Sequence, residues 1–493
     1  MLKDYARPDD GLDKESRKAE TKRLQKLLTA QQVTIREAKL PVVVLVEGWA
    51  ASGKGRLINL LISEIDPRFS GVFCGEARTV DAHRYPFLYP YFCALPEDGK
   101  FLFMDAGWME AAVRERCTKE IGEDMFRRRI ESVNRFERQL RDNGYLVLKF
   151  FVNISKDEQR SRQDELKSDS DTSWRVSEYD EYQNDHYTRF RDAYDEFMEE
   201  TGGIFPWHVL DGTKFGKLSY DAYRLLTETV EAGVAAGRYH GKAFDEYFPM
   251  HETPRLEDVD LSVRMDRDEY DKELKELQDR ISELHNRIYR KRIPVVVCYE
   301  GWDAAGKGGN IRRLAYPLDP RGFDTFPIAS PEPHELARHY LWRFWRRIPR
   351  TGHVAIFDRT WSGRVMVERI EGFCTEDDWK RAYNEINEFE SELHDWGAVI
   401  LKFWIHIDQE TQLQRFNDRQ NEPSKQWKIT EEDWRNREKW PLYEEAVSEM
   451  LEKTSTEFAP WHIIESNDKL YARIKTLRIV VDAFERAIKE RDD

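Results

Sequence analysis

A duplication constrains what this chain can fold into. The stretch Gly301-Trp302-Asp303-Ala304-Ala305-Gly306-Lys307-Gly308-Gly309 stands 253 residues (301 − 48) after Gly48-Trp49-Ala50-Ala51-Ser52-Gly53-Lys54-Gly55. The same offset carries Pro41 to Pro294, Glu47 to Glu300, Asp66-Pro67-Arg68 to Asp319-Pro320-Arg321, Asp105 to Asp358, Trp108 to Trp361 and Lys149 to Lys402. One inserted residue later, Pro206-Trp207-His208 matches Pro460-Trp461-His462. An offset that holds over so long a stretch means two copies of one domain, and the period is far too long for a solenoid, which leaves a fused tandem. Phe248-Pro249 and Thr253-Pro254 break the pattern, so the copies are expected at residues 1–253 and 254–493.

Within each copy a charged helix precedes an apolar, β-branched strand, Val42-Val43-Val44-Leu45-Val46 or Val295-Val296-Val297, and the glycine-rich loop follows it. Further strands are expected near 72–74 or 325–328, at 353–358, at 398–407 and at 461–464, separated by helices near 333–347 and at 376–395. Leu274, Leu277, Ile281, Leu284 and Ile288 form a short seam that should pack on its own domain. The fold class is therefore α/β: two tandem P-loop kinase-like domains, each a parallel sheet flanked by helices, with a helical lid. Ligands in such sheets bind at the carboxyl ends of the strands.

A strand, a glycine-rich loop and a Gly-Lys pair opening a helix make a phosphate cradle, in which backbone N–H groups and one ammonium converge on an anion. Gly306, Lys307, Gly308 and Gly309 are the candidates here. The usual Ser or Thr after the lysine, which supplies a hydroxyl to Mg²⁺, is replaced by Gly308, so the metal must find protein oxygens elsewhere. Asp303, inside the loop, is one source. Asp358, at the end of the strand Val354-Ala355-Ile356-Phe357, is the other, in the position of a Walker B carboxylate.

Residues 338–369 hold Arg338, Arg343, Arg346, Arg347, Arg350, Arg359, Arg364 and Arg369 against only Asp358 and Glu368. Arg343, Arg346 and Arg347 are expected on one helix face, where guanidinium forks suit phosphate oxygens. At matched positions of the first copy Arg343, Arg346, Arg347, Arg359, Arg364 and Arg419 become Pro90, Cys93, Ala94, Ala106, Ala111 and Leu166, and Asp303 becomes Ala50. Residues that only hold the fold should survive in both copies, so the second copy is expected to catalyse and the first to be structural or regulatory. The polar segment Asp408 to Trp434, with Arg415, Arg419, Lys425 and Lys428, is the candidate lid. His208 and His462 recur in both copies and read as structural.

Taken together, Glu300 to Gly309, then Asp358-Arg359-Thr360-Trp361-Ser362-Gly363-Arg364, then Lys425-Gln426-Trp427-Lys428, resemble the polyphosphate kinase 2 family. The resemblance covers both copies, and the tandem resembles the two-domain branch associated with phosphorylation of AMP. It implies a thymidylate-kinase-like P-loop fold, Mg²⁺ dependence and transfer of the terminal phosphoryl group of inorganic polyphosphate to a nucleotide, giving ADP from AMP. It also implies roles: Asp303 and Asp358 would hold metal, Lys307 would bind a phosphate, and Arg359 and Arg364 would flank the transferring group. Trp302 stands where relatives often carry Arg or another polar residue, and Thr360 where Ser is common, so contacts near Trp302 stay open. An ATP-dependent nucleoside monophosphate kinase and a non-catalytic nucleotide- or polyphosphate-binding regulator are the rival readings.

The net charge of −15 and a pI near 5.5 argue against a general nucleic-acid or membrane-surface binder, so a polyanion must meet a local positive field. The five cysteines form no C-x-x-C pair, which fits a reducing compartment, and the N-terminus opens no apolar signal region. A cytoplasmic enzyme is expected, with a dimer of chains a plausible assembly.

Overall fold

The computed structural model describes residues 1–3, 5, 11–75, 84–242, 244, 246–424, 426 and 429–492. Two compact units result: Met1–Thr79 with Phe87–Gly241 and Pro333–Trp342, and Val80–Pro86 with Lys242–Glu332 and Arg343–Asp493. Each unit is built on one five-stranded parallel sheet. The first contains β1 (Val42–Gly48), β2 (Ser70–Cys74), β3 (Phe101–Asp105), β4 (Leu146–Asn153) and β5 (Trp207–Asp211) in the order β2-β3-β1-β4-β5. The second contains β6 (Val295–Gly301), β7 (Phe323–Pro327), β8 (Val354–Asp358), β9 (Val399–His406) and β10 (Trp461–Glu465) in the order β7-β8-β6-β9-β10. The registers repeat as well: Val42 pairs with Phe101 as Val295 pairs with Val354. In both sheets the strand that feeds the glycine loop lies at the centre, where the direction of winding reverses and an open crevice forms at the strand ends.

β1 and β6 read as unbroken apolar runs because helices cover both faces of the sheet, so neither side alternates with polar residues. The leading helices follow the expected spacing. In the helix Lys14–Glu37, Leu24, Leu28 and Ile35 are buried; in the helix Arg267–Lys291 the buried set includes Ile281, Leu284 and Ile288, with Leu274 and Leu277 half-buried. The latter seam packs on its own unit, against the C-terminal helix Lys469–Glu490, flanked by the ion pairs Arg280–Glu485 (2.6 Å) and Arg478–Glu273 (2.5 Å). Among the described residues no helix is long and apolar enough to cross a membrane.

A lysine–glutamate ion pair is buried at the same place in each unit. Lys402 Nζ lies 2.6 Å from Glu390 Oε2 and donates to the Thr454 carbonyl (2.5 Å), while Trp361 Nε1 donates to Glu390 Oε1 (2.9 Å). Lys149, Glu137, Thr201 and Trp108 repeat the arrangement. Burial pushes both carboxyls up and both ammoniums down, and the partner charge opposes each shift. Breaking such a pair from one side strands a buried charge. Lys402→Met should therefore cost about 3–5 kcal/mol in denaturant unfolding. The lone Glu390 would hold its proton more tightly folded than unfolded, so the penalty is small at pH 4 and grows as pH rises. Lys402→Met with Glu390→Met should recover more than half of it; a single variant as stable as the wild type at pH 8 contradicts this role.

One expected helix is not formed. The span 333–347 is two short pieces, Pro333–Leu336 and Trp342–Trp345. The His339 ring accepts the Leu341 N–H (3.2 Å), and Pro349 disfavours helix at Ile348. Arg343, Arg346 and Arg347 therefore do not share a helix face.

Candidate functional site

β6 delivers its last residues into the loop, and the approach is close. Gly301 has φ 147°, and a Cβ there would lie 2.4 Å from the Ile405 carbonyl oxygen of β9. Gly306 (φ 115°) caps the helix Lys307–Ala315 without any side-chain hydrogen bond; the Gly309 N–H turns back to the Gly306 carbonyl (3.0 Å), which leaves the N–H groups of Lys307 and Gly308 to an anion. A Cβ on Gly308 would meet nothing within 4 Å, leaving the backbone open to a ligand. Lys307 Nζ folds back onto the Gly301 and Trp302 carbonyls at 2.6 and 3.3 Å, as Lys54 does onto Gly48 and Trp49 at 2.8 and 2.9 Å. The bare cradle is thus common to both copies.

What surrounds it differs. Glu300, buried, accepts from the Thr360 N–H (2.6 Å) and hydroxyl (2.8 Å), tying the loop to the turn after β8. Burial pushes its carboxyl up, against the pull of Lys307 and the Thr360 bonds. Between them Arg359 adopts left-handed backbone (φ 69°), as its match Ala106 does (φ 57°). The Arg359 guanidinium is half-exposed, with Nη2 3.8 Å from Asp303 Oδ1. Partial burial opposes its charge, but Asp303, Glu300, Glu432 and Asp358 outweigh that and raise its pKa. Asp303, Lys307, Asp358 and Arg359 thus come together at the carboxyl ends of β6 and β8. In the first copy Glu47 takes the place of Glu300. Burial and the nearby Glu110 push it up to about 8, and Glu110 itself accepts from Tyr179 (2.7 Å) and Tyr194 (2.5 Å).

The other candidates scatter. Arg343 is buried and donates to the Ala329 carbonyl (2.7 Å), two residues beyond β7; Arg347 donates to the Arg343 carbonyl; Arg346 is exposed. Arg364 pairs with Glu368 at 2.6 Å, which holds its pKa above the ordinary value despite burial. Lys425, Trp427 and Lys428 lie outside the described residues. The rest of the lid segment forms the helices Gln409–Asn421 and Glu431–Glu438. Arg415 grips the loop carbonyls of Ala304 (3.0 Å) and Ala305 (2.9 Å) and the Ser466 carbonyl (2.6 Å), and Arg162 does the same in the first copy through Ala51, Ser52 and Gly212. That arginine holds the fold. Trp302 is also structural: it stacks on Trp440 (3.7 Å, 13°) and donates to His406 (3.0 Å), while Trp49 stacks on Tyr187 in the first copy (3.9 Å, 13°).

Sequence reasoning named Arg419 but missed three cations near it, Arg313, Lys469 and Arg473. Arg419 lies beside Lys469, the first residue of the helix Lys469–Glu490, and Arg473 one turn on faces the loop helix, its Nη2 3.4 Å from a Cβ built on Gly309. Arg313 completes the group, its Nη1 donating to the Gly309 carbonyl (3.0 Å). Partial desolvation pushes the Lys469 ammonium down to about 8, and Arg415, Arg473 and Arg419 add to the fall; Arg473 is lowered by burial and then by Arg313. The cations gathered here repel one another, and an incoming polyanion relieves that repulsion. With the inserted residue allowed for, Lys469 and Arg473 face Phe215 and Ser219 in the first copy, and Arg313 faces Leu60. The same internal comparison that picked out Asp303 finds them when it is carried on to these positions.

Among the described residues no three His, Cys, Asp or Glu side chains converge as a metal cage. Asp303 and Asp358, with no hydroxyl at Gly308, suit an ion that takes one or two protein carboxylates and most of its ligands from phosphate and water.

Comparison with known proteins agrees with this construction. The profile of the family described as polyphosphate kinase 2 matches residues 11–232 and again 264–492. The chain is 40% identical over 481 residues to a polyphosphate:AMP phosphotransferase of Pseudomonas syringae pv. tomato, covering 97% of each chain. It is 38% identical to the protein of that name from Pseudomonas aeruginosa, covering 94% of each. A crystal structure assigned as polyphosphate kinase 2 from Pseudomonas aeruginosa superposes with a TM-score of 0.84 at 36% identity, covering 97% of both chains. With the glycine loop and its sheet present twice and the profile matched twice, this chain belongs to the polyphosphate kinase 2 family.

Proposed function

We propose that the chain transfers the terminal phosphoryl group of inorganic polyphosphate to AMP, giving ADP, and that the second copy alone does so. The observation that carries the reading is the asymmetry of the copies. Both keep the cradle and its lysine, but only the second surrounds it with Asp303, Arg359 and the cations Arg313, Arg419, Lys469 and Arg473. Nearly full-length relatives named for polyphosphate:AMP phosphotransfer support the substrates.

The donor's terminal phosphates meet the N–H groups of Gly306, Lys307 and Gly308, and the rest of the chain runs along the cation group. Lys307 leaves its loop carbonyls for a phosphate oxygen. The AMP phosphate oxygen is already anionic at neutral pH, so the transfer needs alignment and charge shielding rather than a base. Arg359 supplies that shielding across the transferring group. Asp303 and Asp358 would hold Mg²⁺, which when bound neutralises charge developing on the phosphoryl oxygens. The lid helices exclude water, so that transfer outruns hydrolysis.

The test is an ATP-free incubation of protein, Mg²⁺, AMP and polyphosphate, read for ADP by chromatography. ADP is the expected product. ADP only when ATP replaces polyphosphate would make the chain an ordinary monophosphate kinase, and no ADP from either donor would make it a binding protein.

A further inference from the structure

Helix Glu431–Glu438 of the lid touches the loop at one side chain of particular interest. Asn436 Nδ2 donates to Asp303 Oδ2 at 3.0 Å, while Asn436 Oδ1 accepts from the Tyr443 hydroxyl at 3.3 Å, an arrangement that fixes which end of the amide faces the carboxylate. The opposite oxygen, Asp303 Oδ1, is the one that faces Arg359. Neighbouring bonds brace the same contact: Gln412 Nε2 donates to the Asp303 carbonyl (3.1 Å), and Arg437 joins the Gln409 carbonyl (2.7 Å) and Gln412 Oε1 (3.1 Å). The matched residue of the first copy, Gln183, spans the same gap, but there its Oε1 accepts from the backbone N–H of Ala50, the residue standing where Asp303 stands. So the lid meets the third loop position in both copies, and only in the second does it meet a carboxylate.

We propose that Asn436 is a positioning residue: its amide orients Asp303 through Oδ2, leaves Oδ1 toward Arg359 and the transferring phosphates, and in the same bond latches the lid helix to the phosphate loop. The inference rests on the reading of Asp303 as the carboxylate of the active copy. It differs from a packing role, because Leu repeats the branched heavy-atom skeleton of Asn, with more bulk, but cannot donate. It also makes lid position and carboxylate orientation one event. A lid that lifts releases Asp303, and the residue that organises the donor is in place only beneath a closed lid.

The experiment compares Asn436→Leu, Asp303→Asn and the double variant in the full chain. Hydrogen exchange of the Glu431–Glu438 amides, with no substrate or metal present, should quicken about tenfold in N436L, the worth of one lost charge-assisted bond. D303N should quicken it by less than that, since its amide oxygen can still accept. The double variant should show no more than N436L alone. In turnover, N436L should lower kcat about ten- to a hundredfold with the KM for AMP changed less than about threefold, and should raise the Mg²⁺ concentration for half-activation. Unchanged exchange in N436L, additive exchange in the double variant, or wild-type kcat in N436L each overturns the proposal. The exchange measurements use no substrate, so a failure of the AMP assay in the wild type would strike the proposed reaction and leave the latch standing.

Discussion

Asp303→Asn lowers kcat for ADP formation by about a hundred- to a thousandfold, while Lys54→Ala in the first copy leaves it within about threefold. The contrast follows from where each residue stands. Asp303 faces Arg359 at 3.8 Å and, with Asp358, is the carboxylate proposed to hold the metal. Its amide keeps the shape but loses the charge that faces Arg359 and that would hold a divalent metal, and such charge acts most strongly in a site closed to water. Lys54 has the same loop carbonyls beneath it as Lys307 has, yet Ala50, Ala106, Leu166 and Phe215 around it offer no metal or phosphate contact. Steady-state kinetics on the two variants decides the matter, and losses of similar size from both would end the assignment of activity to the second copy.

Lys469→Met raises the KM for polyphosphate about ten- to a hundredfold at low salt, with kcat changed less than about threefold. The effect should shrink as salt is added, because the lost contact is electrostatic. A pH profile tests it further. Lys469 is exposed at the surface, but partial desolvation and then the surrounding arginines lower its ammonium to about 8, so it is mostly charged below that pH and mostly neutral above it. A polyanion binds the charged form, so the wild-type KM is flat below pH 7.5 and climbs as pH rises through about 8. Lys469→Arg keeps its charge and should flatten the climb, while the Met variant starts high and stays there. A wild-type profile flat to pH 9 would remove Lys469 from the donor path.

Much of the fold could be read because the strands are apolar runs bounded by turn residues and the helices carry caps. Helix Glu376–Asp395 falls where expected, its start set by a capping box between Thr375 and Asp378. The helix at 333–347 failed for a local reason, a histidine ring taking a backbone bond that no periodicity reports. The site divides in the same way. Asp303, Lys307, Asp358 and Arg359 were legible because loop spacing and strand ends dictate their place. The surroundings of Arg343 were not, since a buried arginine donating to a carbonyl looks in sequence like one reaching for phosphate. Lys469 and Arg473 were passed over because they lie beyond the last matched motif, on the closing helix, and Asn436 by lying 133 residues from the carboxylate it touches.

The two sheets agree in order and register strand for strand, so a newly made chain carries two interchangeable sets of parts. Parallel sheets close from distant segments and therefore slowly, and repeated domains are prone to exchanging equivalent strands while they do. The buried ion pair offers no protection, because Lys149 would satisfy Glu390 as well as Lys402 does. Bulk does discriminate. β9 brings Trp404 against Trp302 (5.5 Å) where β4 brings the smaller Phe151 against Trp49 (6.3 Å), so a β4 seated in the second sheet leaves a void and a β9 in the first overfills it. Synthesis adds a second safeguard, since β1 to β5 leave the ribosome before β6 is made. Refolding from denaturant has only the first.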